Sequence, residues 1–151
     1  MSQDKQKDPG INIVKIQMLE SEAKIIQSFD PKKKYNLEAK YDFANNLSDN
    51  EHEGSSTLSV TVEIIENGDE DKKVFAIFKC KYLGQFSTDL DSPNMELKQF
   101  LEYNAHAMLY SYVREHFTNL SLKCGVTPIY LPIINIIAMI DSIKSQTLNK
   151  K

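Results

Sequence analysis

LSVTVEIIENGDEDKKVFAIFKCKYLGQF, residues 58–86, decides the fold class. Leu58, Val60, Val62 and Ile64 alternate with Ser59, Thr61 and Glu63, the period of two that marks a strand with one apolar face. Asn67-Gly68-Asp69-Glu70 carries hairpin-turn chemistry, and the apolar run 74–86 beyond it is long enough to pair back antiparallel. The stretch therefore predicts two neighbouring strands of an antiparallel sheet.

Upstream, Tyr35, Leu37, Ala39, Tyr41 and Phe43 alternate with Asn36, Glu38, Lys40 and Asp42, which predicts another half-buried strand. Residues 44–56, ANNLSDNEHEGSS, read as a polar loop between the two alternating segments. Asp30-Pro31 marks a turn, and Lys32, Lys33 and Lys34 beside it read as its solvated side, not as a phosphate site. Residues 11–27 mix β-branched and polar side chains without helical spacing and supply a first strand. Four strands joined in this order predict a meander.

Downstream the period changes. Ser92-Pro93 is a helix start and Gly125 followed by Pro128 a stop, so one helix of about 30 residues is expected between them. Its apolar residues, among them Phe100, Leu101, Met108, Leu109, Tyr112, Val113 and Phe117, spread over a wider arc than one sheet covers, which predicts a second subunit on the far side. Asn135 is placed to cap a short last helix over residues 136–145, with Ile136, Met139, Ile140 and Ile143 on one face. The fold class expected is α+β: a four-stranded antiparallel meander packed on one long and one short C-terminal helix.

A length of 151 residues suits one domain, and 41% apolar with 26% charged residues suits a packed one. Residues 1–10 and 146–151 are polar and are expected to be a disordered and a frayed tail around a single domain, 11–145. A net charge of −3 without a basic stripe argues against nucleic acid. Residues 126–140 are the most apolar stretch but are too short to span a bilayer and contain Pro128 and Pro132, so no membrane insertion is expected. Residues 1–10 lack a secretion or organelle signal, and Cys80 and Cys124 read as reduced thiols, which places the chain in the cytoplasm.

No motif for catalysis emerges. Gly occurs five times and never as a phosphate cradle, which removes nucleotide binding. His52, His106 and His116 stand at no metal spacing, and a carboxylate near a helical histidine, such as Glu102 or Glu115, is ordinarily structural. No serine lies in a nucleophile context. The chain is expected to be no enzyme and to use no metal or cofactor. What is left is an excess of apolar side chains in residues 126–140 and along 35–43, either core or an exposed surface for other polypeptides.

From Leu58 on, the sequence resembles the SecB-type protein-export chaperones. The strand LSVTVEI (58–64), the strand end YLGQFS (82–87) and NAHAMLYSYVREHFTNLSLKCGVTPIYLPIINI (104–136) carry the likeness, with Tyr112-x-Arg114-Glu115, Gly125, the Pro128 to Pro132 loop and Asn135 in the family's order. The resemblance implies a dimer of dimers with the long helices sandwiched between sheets. It implies ATP-independent holding of unfolded polypeptide clients, preproteins for export, on apolar grooves. Carried onto this chain, the client-binding positions are Leu37, Ala39, Tyr41, Tyr112, Ile136, Met139 and Ile140. Similar chaperones dock a translocase motor ATPase through an acidic sheet face. Here Lys79 stands where a carboxylate is expected and Lys81 adds a second cation, which puts motor docking in doubt. A SecB-like chaperone for another client, such as the antitoxin of a toxin–antitoxin pair, is the alternative, followed by a non-chaperone adaptor with one partner.

Overall fold

The computed structural model describes residues 8–67 and 73–149. Strands β1 (Asn12–Ile25), β2 (Tyr35–Leu47), β3 (Glu53–Glu66) and β4 (Val74–Ser87) come first. They are followed by α1 (Leu97–Gln99), a π-helical turn (Phe100–Asn104), α2 (Ala105–Lys123) and α3 (Ile136–Asn149). All strand pairs are antiparallel and the helices cover one face of the sheet, the α+β arrangement expected. Of the hairpin turn expected at 67–70 only Asn67 is described; most of the expected N-terminal tail and the last two residues also lie outside the described residues.

The order across the sheet is β1-β4-β3-β2, so β2, β3 and β4 form a meander but β1 does not join it through β2. The simple four-strand meander is thereby corrected. Residues 26–34 swing around the end of the sheet instead, with Ile26 N and Gln27 N donating to Phe75 O at 2.8 and 3.3 Å, and Asn67 N to Lys34 O at 2.9 Å. Phe29 anchors this crossover by packing its ring on Tyr35 and Phe75, with centroids 4.9 and 6.1 Å apart. Alternation says which side chains share a face, but which strand lies next to which depends on where the link packs.

The polar stretch 44–56 is mostly strand. Ala44 pairs with Thr57 and Leu47 with Gly54, leaving a loop of residues 48–52. Its polarity misled because the inward rung Asn45–Ser56 is polar, Ser56 fully buried and Asn45 exposed at the rim. The π turn leaves the Leu101 carbonyl to accept from Ser56 Oγ at 2.6 Å, and His106 Nε2 lies 2.7 Å from the Asn45 side-chain amide.

Continuous helix begins at Leu97, with Glu96 as N-cap, and not at Ser92-Pro93. Residues 88–94 are tied to the N-terminal segment instead: Thr88 Oγ1 donates to Gly10 O at 2.8 Å and Asn94 Nδ2 to Asp8 O at 2.6 Å. The stop at Gly125 is as expected. With φ at +75° it closes α2 by donating to Leu122 O at 3.1 Å, while Val126 N reaches Ser121 O at 3.2 Å. Asn135 caps α3, its Oδ1 accepting from Ala138 N at 3.0 Å, and the helix runs on to Asn149 instead of ending at Ser145.

The core lies between the inner faces of β3 and β4 and one face of α2. Leu58, Val60, Val62, Phe78 and Cys80 meet Leu109, Val113 and Phe117, all fully buried. Each large side chain so buried contributes about 2–3 kcal/mol. Tyr103 Oη donates to Asp141 Oδ1 at 2.8 Å and Lys144 pairs with Glu102 at 3.0 Å, fastening α3 to the π turn.

Candidate functional site

An open groove of ≈ 560 Å³ runs between the start of β2 and the loop that leaves α2. Phe29, Pro31, Tyr35 and Leu37 form one side, Ile64 the floor, and residues 125–129 the opposite wall. The lining follows from the crossover: the Phe29 and Tyr35 rings pack at a tilt at the sheet end, Tyr35 meets Phe75 edge-on at 4.9 Å, and Tyr35 Oη accepts from Asp30 N at 2.9 Å. Lys32 N and Lys33 N close the turn onto Asp30, as the solvated-turn reading expects. The Lys33 ammonium bonds Glu66 at 2.9 Å, and that hydrogen bond raises its pKa. Asp30 and Lys33 at the rim are therefore engaged, and most of the remaining lining is apolar.

Of the client-binding positions taken from the resemblance, Leu37 is 46% exposed and lines the groove. Ala39 and Tyr41 follow it along β2, half-buried, with the Tyr41 ring 6.1 Å from Tyr110. Met139 is half-buried on α3. Ile136 and Ile140 are each only 5% exposed and belong to the core, so they do not form an open lining in the protomer. Tyr112 is 41% exposed but lies apart, over Tyr82 of β4 at 5.8 Å. Two residues from Tyr110 along a helix is about 200° of rotation, which carries Tyr112 to the flank facing away from β2.

Residues that sequence reading did not single out complete the site. Phe29 shares the aromatic side with Tyr35, and the only sign of it was an isolated aromatic just before Asp30-Pro31. Beyond the groove, Ile133 at 87% and Ile137 at 49% extend the exposed apolar surface beside α2.

Burial pushes the His106 imidazole down to about 4 and the Cys80 thiol up to about 12. His116 Nε2 lies 2.7 Å from Ser21 Oγ, its pKa lowered by burial and then by Lys123. Among the described residues no cluster of His, Cys, Asp or Glu could hold a metal, and no helix is long and apolar enough to cross a membrane.

A family profile described as SecB, preprotein translocase subunit SecB, matches residues 12–147. The chain belongs to the SecB family. Membership supports a chaperone and covers both the sheet and the helices that build the groove. No curated protein matches the sequence. Among solved structures, the fold matches the SecB-like chaperone of Mycobacterium tuberculosis in complex with a peptide from an antitoxin. The TM-score is 0.69 at 17% identity, covering 82% of this chain and 90% of that one.

Proposed function

We propose that this SecB-family chain is an ATP-independent holding chaperone that takes apolar segments of unfolded polypeptides along the β2 groove. The observation that carries the reading is the groove itself: a largely apolar trough, open to solvent and flanked by Leu37; Ile133 and Ile137 are further apolar side chains left exposed beside α2. Surface of this kind is costly to leave exposed unless something covers it. Aromatic and aliphatic walls accept many sequences without demanding one shape. No chemistry on the client is required.

Holding clients outside motor-coupled export, an antitoxin among them, is favoured by the charge on the outer sheet face. There Lys79 lies 3.5 Å from Glu20, and the rows Glu22–Lys79–Thr61–Lys40, Glu20–Lys81–Ser59–Asp42 and Lys24–Ile77–Glu63–Glu38 each mix acid with base. Such a face offers a basic motor surface little net attraction. A homo-oligomer, up to the dimer of dimers, is supported by the exposed apolar residues of edge strand β1 and by Tyr112 and Leu122 on α2. Two free thiols fit the cytoplasm.

The test is suppression of aggregation of several unrelated denatured proteins at stoichiometric chaperone, alongside binding of the translocase motor ATPase. Protection of several clients without motor binding is the expected result. Protection of none overturns holding; tight motor binding returns the chain to general export.

A further inference from the structure

Side chains spaced about a turn apart on α2 grip the backbone of the loop that follows it. Tyr110 Oη donates to Pro132 O at 2.5 Å, Arg114 Nε to Leu131 O at 3.1 Å and Thr118 Oγ1 to Ile129 O at 2.9 Å. Ser121 Oγ accepts from Ile129 N at 2.9 Å and donates to Phe117 O at 2.7 Å, so it joins the loop amide to the helix's own carbonyl. The Thr118 proton is shared with Arg114 O, 3.1 Å away. As the number rises along the helix it falls along the loop, and the contacts form an antiparallel ladder.

Residues 126–135 have no regular secondary structure, so nothing in their own local geometry fixes their path. Ile129 is the best-held point, bonded at both N and O and with its side chain buried. It is also the last residue of the groove wall 125–129. Past Pro132 the ladder ends, and Ile133 stands out in solvent.

We propose that Thr118 and Ser121 are positioning residues for client capture, holding the groove wall in its binding-competent place before a client arrives. The proposal rests on the reading of the groove as the capture site. A wall that is already ordered need not be ordered by the client, and affinity gains by that amount. When the wall is in place only part of the time, apparent affinity falls by that fraction. The loss then shows in association, because the bound complex keeps its contacts. A side chain that touches the client shows itself in release instead.

The probe is a fluorescent, permanently unfolded protein, reduced and alkylated, mixed rapidly with the full chain. Thr118→Val should slow association about five- to tenfold, a change of the size of one hydrogen bond. It should leave the release rate and the oligomeric state unchanged, and speed amide exchange in residues 126–131. Thr118→Ser, which restores the hydroxyl, should recover the association rate, and Leu37→Ser should speed release. Ser121→Ala strands the Ile129 N–H and should slow association further; if it fails to fold, the Thr118 pair carries the test. Unchanged association despite faster exchange in 126–131, a change in release alone, or no recovery with Thr118→Ser would each overturn the positioning role. If the unaltered chain captures no probe, the groove reading itself falls.

Discussion

The two edges of the sheet are built differently. β2 pairs with β3 without interruption from Tyr35–Glu66 to Leu47–Gly54, and its inward residues are half-covered by the helical layer. β1 pairs with β4 through two register shifts, between Ile13 and Lys15 and between Met18 and Glu20, and is exposed almost throughout. The residues left over at those shifts are Val14 and Leu19, both apolar and both in solvent. A bulge reverses the phase of alternation, so Ile13, Ile16, Met18, Ala23 and Ile25 all lie opposite inward residues of β4, and Val14 and Leu19 are apolar side chains surplus to that alternation. One edge has its apolar face beside a groove; the other has apolar surface with nothing in the protomer to cover it.

The strongest way to break the comparison is at β1. If the chain assembles through β1 as proposed, placing lysines at both surplus positions, Val14→Lys with Leu19→Lys, should leave a 17.3 kDa protomer with the circular dichroism of the fold intact. Light scattering reads the mass. An unchanged mass would show that β1 is not a subunit contact.

The next prediction separates core from groove on the β2 side. Ile140→Ser should lower stability by about 3 kcal/mol, because it opens a cavity and buries a hydroxyl. Leu37→Ser should change it by less than about 1 kcal/mol while weakening capture of the unfolded probe. Chemical denaturation and client titration of both variants decide the matter; a large stability loss at Leu37 would place it in the core.

His106 joins the far end of β2 to α2, and it should make that junction acid-sensitive. Its folded pKa of about 4 lies below the unfolded value of about 6.5, so the unfolded chain takes up the proton first. Its stability contribution is whole above pH 6.5 and is lost as pH falls towards 4, by about 3 kcal/mol across that window. His116, also lowered, adds in the same direction. His106→Gln should flatten this part of the stability–pH curve; an equally steep curve in the variant would assign the sensitivity elsewhere.

The smallest effects lie away from both edges. Gly125→Ala should cost about 1 kcal/mol, since φ at +75° strains any side chain there. Replacing Cys80 and Cys124 with Ala together should cost about 1–2 kcal/mol in packing and leave capture unaltered. Loss of capture in that folded variant would give the thiols a role they are not expected to have.

Local patterns alone determined a good deal. The alternation at 35–43 and 58–64, the cap at Asn135 and the stop at Gly125 each depend on one face meeting a core or on one backbone angle, and such features are written in neighbouring residues. The register shifts hid the alternation of β1, because Val14 and Leu19 each reverse its phase. The inward rung Asn45–Ser56 looked like loop because its partners, His106 and the Leu101 carbonyl, come from a helix far along the chain. Helical spacing placed Ile136 and Ile140 on one face of α3 but could not say whether that face was groove or core. The tertiary structure alone decided that, along with the placing of β1 beside β4, the turning of Tyr112 away from β2, and the meeting of Phe29 with the 125–129 wall. Each of these depends on which distant surface a segment packs against, and spacing along a chain carries no record of it.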